Sequence, residues 1–398
     1  MHPADEIRGV KSSILSNKKI ILGVTGSIAA VESVHLSREL IRHGADVIPI
    51  MTRAATRIIH PDSLEFATGN KPVIELTGQT EHVAFCGLTK KPADLLLISP
   101  CTANTISKIA HGIDDTIVTT FASTAIGSNV PIIVVLAMHI SMYNHKILQK
   151  NINTCKKVGI TFINPAIVGN KAKMADYGEI TEYVIRTIGR RDLVGKKILI
   201  IGGATAEPID EIRLITNRSS GKTAISFAKN SFERGANVEL WYGYAKEPAP
   251  QYIVTKHFET IDDLLKLLKV ENLKKFDAVV VCAAIADYVP KKQEGKIPSG
   301  KKNLVLELSP SPKIIEKIRS LAPKVKIIAF KVEQNKHVAK EKAYNLLKKN
   351  KLDFVVANTL DAFGKNESEI WIIDKNGKSI HKKDKKDMLT NYILDVLI

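Results

Sequence analysis

Side chains able to carry protons, hold anions or activate a carboxylate gather at a few turns of this sequence. Gly23-Val24-Thr25-Gly26-Ser27-Ile28-Ala29-Ala30 follows the isoleucine-rich run Lys19–Val24 and opens a helical pattern. Such a turn offers backbone N–H groups and a helix amino terminus to an anion, ideally a phosphate. The same residues also suit a tight packing turn. The turn lacks the G-x-G-x-x-G spacing of dinucleotide folds and the G-K-[ST] ending of a P-loop, so those motifs lend it little. Ser99-Pro100-Cys101-Thr102-Ala103-Asn104-Thr105 is a second small-residue turn after a buried run, where Thr102 or Asn104 can cap a helix or meet a ligand. Leu136-Ala137-Met138-His139-Ile140-Ser141-Met142-Tyr143 is a third. His82, in Glu81-His82-Val83, precedes a helix-like segment and is a candidate proton carrier.

The second half holds another set. Gly202-Gly203-Ala204-Thr205 closes a strand and offers a backbone anion cradle. Thr216-Asn217-Arg218-Ser219-Ser220-Gly221-Lys222 precedes a helix, and Asn217 is either an ordinary turn asparagine or a ligand. Ala283-Ala284-Ile285-Ala286-Asp287-Tyr288 ends a buried run, which puts Asp287 on a rim. Lys296 lies in Gly295–Lys302 (GKIPSGKK), a mobile basic loop by its composition. Cations and aimed donors of this kind stabilise phosphoryl transfer.

These turns need strands to carry them. Lys19–Val24, Asp46–Met51, Asp94–Ser99 and Pro131–Ala137 read as strands, with helices over Ala29–His43 and near Ala103–Ala110. The pattern restarts at Lys197–Ile201, with further strands at Asn237–Trp241, Asp277–Cys282, Lys326–Phe330 and Asp353–Ala357. Helices are expected up to Arg234 and near Ile261–Val270, Pro312–Leu321 and His337–Asn350. Alternating strand and helix predicts two doubly wound parallel sheets, with ligands beyond the carboxyl ends of the strands. The chain of 398 residues exceeds one core, and the boundary is expected at residue 190, giving domains 1–190 and 191–398.

Apolar residues form 44% and charged residues 25% of the chain, which excludes wholesale disorder and fibrous classes. The longest apolar runs, Val130–Met138 and Ala278–Ala286, are too short for a membrane helix, and no signal peptide is expected. Four scattered cysteines (Cys86, Cys101, Cys155, Cys282) speak against a zinc site or a disulfide framework and for a reducing cytosol. Fifty-eight basic against forty-one acidic residues leave a formal charge of +17. The excess is mostly lysine without an aromatic-interleaved stripe, so solvated faces and phosphate-bearing substrates are expected rather than nucleic acid.

Residues 19–180 resemble the flavin-dependent cysteine decarboxylases, and residues 196–398 resemble phosphopantothenate–cysteine ligases. The motifs carrying this are GVTGSIAA, SPCTANTISKIAHG, ATAEPIDEIRLITNRSSGK and AAIADY. The fused order resembles the bifunctional decarboxylase–ligase family of coenzyme A biosynthesis. The resemblance implies an α/β chain: a flavodoxin-like flavoprotein domain followed by a Rossmann-like doubly wound ligase domain. It implies FMN held by Gly26, Ser27, Ile28, Thr52, Ser99, Thr102 and Asn104, and substrate held by His139, Met142 and Arg213. In such decarboxylases the cysteine CH₂–SH is oxidised to a thioaldehyde, whose C=S accepts the electrons left by CO₂, and His82 manages the proton. The ligase half is implied to use CTP as co-substrate, with Mg²⁺, to turn the carboxylate of phosphopantothenate into an acyl-cytidylate that cysteine attacks. Asn217 is implied to contact that intermediate and Lys296 to close over the triphosphate. The nucleotide is implied to meet Gly203, Ala204, Ala284, Asp287, Pro312, Lys313, Ile314, Ile315, Phe330, Lys342 and either Lys348 or Lys349. Phosphopantothenate, cysteine and CTP are the expected partners. A cytoplasmic homo-oligomer is expected, with trimeric flavin sites and dimeric ligase domains, up to a dodecamer.

Two motifs depart from the family pattern, at Leu136, His139 and Ala166. Its Pro-x-Met-Asn-x-x-Met motif reads Leu136-Ala137-Met138-His139 here, ending at Met142, and a protonated His139 can still bind a carboxylate. Where bacterial members have a flap cysteine that protonates the enethiolate, this chain has Ala166, and Cys155 lies eleven residues earlier. The competing readings are a flavin prenyltransferase or peptidyl-cysteine decarboxylase, a flavin-binding regulatory domain fused to an active ligase, and a basic nucleic-acid binder.

Overall fold

The computed structural model describes residues 2–169, 171–300, 303–359 and 367–397. The chain forms two compact units, Met1–Arg191 and Asp192–Ile398.

The first unit is built on β1 (Lys19–Val24), β2 (Asp46–Met51), β3 (Leu95–Cys101), β4 (Ile132–Leu136) and β5 (Thr161–Ile163). All pair in parallel in the order β2-β1-β3-β4-β5, a flavodoxin-like arrangement whose order reverses beside β1. The strands are apolar throughout because both faces are covered. Ile20, Leu22 and Val24 face one core with Leu95, Leu97, Ile133 and Val135. Ile21, Leu96, Ile98, Ile132 and Val134 alternate onto the other. Helices α1 (Ser33–Arg42), α2 (Glu81–Cys86), α3 (Ala103–His111), α4 (Ile117–Ser128) and α5 (Tyr177–Ile188) flank this sheet.

The helix expected over Ala29–His43 begins as a 3₁₀ segment, Ile28–Glu32, before α1. Ser27 caps it by accepting from the Ala29 amide at 3.4 Å. A three-stranded antiparallel sheet of Met138–His139, Lys171–Lys173 and Ala166–Val168 lay outside the periodicity reading, because two- and three-residue strands are too short to show alternation.

The second unit carries β6 (Lys197–Gly202), β7 (Asn237–Tyr242), β8 (Val254–His257), β9 (Ala278–Val281), β10 (Lys326–Glu333), β11 (Phe354–Thr359), β12 (Glu367–Asp374) and β13 (Ser379–Lys385). Their order is β8-β7-β6-β9-β10-β11-β12-β13. The first six are parallel in the 3-2-1-4-5-6 order of a Rossmann-like sheet, and β12 and β13 add an antiparallel edge. The flanking helices are α6 (Lys222–Glu233), α7 (Ile261–Val270), α8 (Ile314–Leu321), α9 (Lys336–Asn350) and α10 (Lys386–Leu397). Thr260 starts α7 with a capping box closed by Asp263, and Leu264 and Leu268 bury its apolar face. The expected α/β architecture holds in both units.

Buried Arg234, just past α6, joins the ends of this unit: its guanidinium lies 2.8 Å from Asp192 and 2.9 Å from Asp395 of α10. Removing it takes away the buried partner shared by two partly exposed carboxylates and the guanidinium's bond to the Asn391 carbonyl. Arg234→Ala is expected to destabilise the second unit by about 3 kcal/mol. Both tryptophans, Trp241 and Trp371, lie in this unit, so urea unfolding followed by their fluorescence measures it directly.

Candidate functional site

In the first unit the turns after β1 and β3 are welded together. The buried Thr25 hydroxyl donates to the Pro100 carbonyl at 2.8 Å and accepts from the Thr102 amide at 3.1 Å. A Cβ on Gly26 would lie 2.6 Å from the Ala54 Cβ, so only glycine lets this turn close against the segment after β2. Thr102 caps α3, accepting from Thr105 N at 3.3 Å.

Beside these turns lies a cavity of about 680 Å³, lined among others by Gly26, Thr52, Thr102, Asn104 and Met142. Its size is that of a small-molecule site. Five residues singled out in the sequence therefore meet at one place. The sequence reading missed Arg53, Glu75, Asp114, Asp115 and Thr116 on the same lining. Thr116 was detectable as the first residue of a capping box with Thr119 at the start of α4.

Other expected residues sit around this cavity rather than on it. Ser99 is wholly buried beneath the turn, its hydroxyl 3.5 Å from the Met174 sulfur. Ser27 donates to the Ala137 carbonyl at 3.4 Å, and Ile28 is exposed. His139 caps a four-residue helix, accepting from the Ser141 amide at 3.3 Å. It pairs with Lys171 in the small sheet, whose far strand carries Ala166. His82 stands on α2 with its ring 6.5 Å from Phe121 of α4. Its Nδ1 is buried with no hydrogen-bond partner among the described residues. Cys155 lies buried in the helix Lys146–Lys157, lining a separate cavity, and burial pushes its thiol up to about 11. All four cysteines are free thiols.

In the second unit the carboxyl ends of β6, β9, β10 and β11 form the rim. Ala284 is its node: its amide donates to Gly203 O at 2.8 Å and its carbonyl accepts from the Asn217 side-chain amide at 3.1 Å. Ala204 is buried and bridges both Ala284 and Tyr244. A cavity of about 160 Å³ opens here, room for part of a ligand rather than all of one. Of the expected residues it brings together Gly203, Ala284 and Phe330; Phe330 meets Phe227 edge-on at 5.9 Å. Ser219, Ser220, Lys222, Asn358 and Lys386 also line it and were not expected. Burial, with the Lys222 charge nearby, holds the Lys386 ammonium below its ordinary pKa. Asn358 Oδ1 is buried with no hydrogen-bond partner among the described residues. A cation-rich pocket with an open acceptor suits a ligand that is anionic at one end and donates a hydrogen bond at the other.

Asp287 is exposed and paired with Lys313 at 2.6 Å, while Ser311 N donates to Asp287 O at 2.9 Å, so these loops meet. Pro312 is exposed, whereas Ile314 is buried at the start of α8 and Ile315 is half-buried, both turned to the core. Lys296 is exposed; Lys301 and Lys302 of its loop lie outside the described residues. Arg213 faces inward to Asp210 at 2.6 Å and the Ile297 carbonyl at 3.1 Å. Lys342 pairs with Glu333 at the end of β10, at 3.1 Å.

Lys348 and Lys349 lie away from the rim of their own unit. Helix α9 runs from the rim back to the opposite sheet edge, where Asp353 N bonds Ile327 O near the start of β10. Lys349 lies thirteen residues beyond Lys336, about 20 Å down the helix, and pairs with Glu316 at 2.9 Å. Lys348 shares that end, over the Tyr344 ring. Among the described residues no group of His, Cys, Asp or Glu is disposed to hold a metal ion. No helix among them is long and apolar enough to cross a membrane.

Residues 9–189 match the family described as flavoprotein, and residues 193–398 match the DNA/pantothenate metabolism flavoprotein C-terminal domain. The coenzyme A biosynthesis bifunctional protein CoaBC of Thermococcus kodakarensis is 44% identical over 98% of this chain and 97% of its own. The chain belongs to this family. That of Methanocaldococcus jannaschii is 39% identical over 94% of this chain and 92% of its own. A crystal structure of the C-terminal domain of a protein of the same name is 29% identical, covering 52% of this chain and 95% of that one with a TM-score of 0.45. The protein is thus a bifunctional enzyme of coenzyme A biosynthesis with a decarboxylase and a ligase activity, and its first unit is a flavoprotein domain.

The second rim tolerates no side chain at Gly221, which precedes α6 at φ +79°. A Cβ there would lie 1.8 Å from the Tyr242 hydroxyl. Gly221→Ala is expected to cost the second unit about 2–3 kcal/mol, read as a lower urea midpoint. Adding Tyr242→Phe should recover a small part of this, since it removes the nearest atom and leaves the ring Cζ and the Ala245 Cβ at 2.9 Å together with the backbone strain.

Proposed function

We propose that the second unit joins cysteine to 4′-phosphopantothenate using CTP, and that the first unit decarboxylates the resulting 4′-phosphopantothenoylcysteine to 4′-phosphopantetheine with FMN. The observation that carries this reading is one cavity at the carboxyl-terminal rim of each parallel sheet, in a chain of this family.

A carboxylate does not react with an amine in water until one oxygen becomes part of a leaving group. In the ligation the phosphopantothenate carboxylate attacks the α-phosphorus of CTP, forming an acyl-cytidylate and releasing pyrophosphate. The cysteine amine then attacks the acyl carbon and CMP leaves. Lys296, exposed on its loop, is assigned to neutralise the triphosphate. Mg²⁺ would arrive with the triphosphate, since it is commonly held by substrate phosphates and one or two carboxylates. Asn217, whose side-chain amide donates to Ala284 O, is assigned to turn that donor to the acyl-phosphate. Gly203, Ala204 and Ala284 supply backbone at close range; Phe330 offers a ring face to the base or ribose, and Asp287 a carboxylate at the loop meeting point.

In the first unit the turn at Gly26 and the capped start of α3 at Thr102–Asn104 would hold the FMN phosphate and ring, with Thr52 and Met142 on the same lining. FMN, when bound, supplies the reversible two-electron oxidation of the cysteine CH₂–SH, without which CO₂ loss has no electron sink. His82 is assigned to take the thiol proton: its buried Nδ1 has no partner among the described residues, so a bound substrate group would satisfy it. His139, exposed at the end of its strand in the small sheet, is assigned as the donor to a substrate carboxylate. A homo-oligomer completes the reading.

Purified full-length protein given phosphopantothenate, cysteine, CTP and Mg²⁺ should release both pyrophosphate and CO₂ and be yellow. His82→Asn should stop CO₂ while pyrophosphate continues. Asn217→Asp should stop pyrophosphate but leave CO₂ release from supplied phosphopantothenoylcysteine. Loss of both products in either variant would contradict separate sites. Yellow protein that makes pyrophosphate but never CO₂ would favour the regulatory reading of the first unit, which Ala166 at the flap position keeps in view.

A further inference from the structure

The loop carrying Lys296 is exposed along most of its length, yet it touches down at one residue. Ile297 is 4% exposed, between exposed Lys296 and exposed Pro298. Its amide donates to Asp210 Oδ2 at 3.0 Å, and its carbonyl accepts from the Arg213 guanidinium at 3.1 Å. Asp210 is itself buried and takes three further hydrogen bonds: Ile212 N at 2.8 Å and Arg213 N at 2.6 Å on Oδ1, and Arg213 Nη1 at 2.6 Å on Oδ2. Upstream, Gln293 N donates to Ile209 O at 2.9 Å, so the loop returns to the same turn twice. Burial alone would raise the Asp210 pKa, but the amides of Arg213, Ile212 and Ile297 and the Arg213 side chain outweigh it. These bonds hold the carboxyl well below the usual carboxylate range.

From this geometry we infer that Asp210 is a positioning residue for the ligation: one buried carboxylate holds the Lys296–Ile297 peptide and the Arg213 guanidinium in a fixed relation, so that both cations act from a common anchor. The inference rests on the ligase reading above and adds the element that aims its two cations. A lysine on an untethered loop would spend most of its time away from the phosphates, and small displacements of a charged group are costly to rate. Asp210 touches no reacting atom in this scheme; its effect passes through the loop.

The test uses the full-length protein and its Asp210→Asn variant, which keeps the side chain's size and removes its charge. Trypsin cuts the Lys296–Ile297 bond only when that peptide leaves its anchor. Cleavage there, followed by mass spectrometry, should quicken roughly tenfold in the variant while cuts at other lysines keep their rates. The kcat for CTP-dependent pyrophosphate release should fall roughly 100-fold, with KM for CTP changing far less. A lowered kcat without faster cleavage at this bond, or faster cleavage without a lowered kcat, overturns the inference. Wild-type protein that makes no pyrophosphate, with a variant that is still cut faster, counts against the ligase reading and keeps the anchor. Should Asp210→Asn unfold, seen as lost tryptophan fluorescence structure, Ile297→Ala withdraws only the buried side chain. It must shift both readouts in the same sense by smaller factors, and unchanged values overturn the proposal.

Discussion

Close packing of glycine turns against neighbouring segments at the carboxyl ends of the parallel strands is the constraint on which both rims depend. A polyanion can be bound by main-chain amides only if no side chains stand between them and the ligand. At Gly26 and Gly221 a single added carbon would collide with Ala54 or Tyr242. Hydroxyl and amide side chains then tie neighbouring turns together, Thr25 to Pro100 and Thr102 in one unit and Asn217 to Ala284 in the other. These ties fix the turns of each rim to one another before any ligand arrives, while the Asn217 amide is free to exchange its carbonyl partner for a ligand.

Electrostatics divide along the same lines. Much of the lysine excess lies on exposed helix faces in ion pairs that add little, such as Lys349 with Glu316. A few cations stand where solvent is scarce. Lys386 is depressed by burial and by Lys222, an arrangement that an incoming anion would relieve. Net charge thus says less about the protein's partners than the handful of positions where positive charge is costly to keep.

The first unit gathers His139 and Ala166, both singled out in the sequence, in one small element. The small antiparallel sheet places the Met138–His139 strand beside Lys171–Lys173 and that beside Ala166–Val168. Cys155 is buried elsewhere, in the helix Lys146–Lys157, and shares no part of this element.

Much of the architecture was legible from local chemistry. Strands such as Lys19–Val24 and Asn237–Tyr242 announce themselves because parallel strands buried on both faces are continuously apolar, and helix caps such as Thr102 and Thr260 lie within a few residues of what they cap. Glycine turns are likewise written in place, since the strain they relieve is local. Folding alone decided which distant residues meet: Asn358 and Lys386 join Lys222 in one pocket across more than a hundred residues, and Asp210 reaches Ile297 across a gap no periodicity records. It also set Lys349 apart from the rim, because a helix returning from the rim carries its last turn to the opposite end of the sheet. Composition and spacing specify elements and the turns between them; side-chain partnership is set by how those elements pack, and packing is a property of the whole chain.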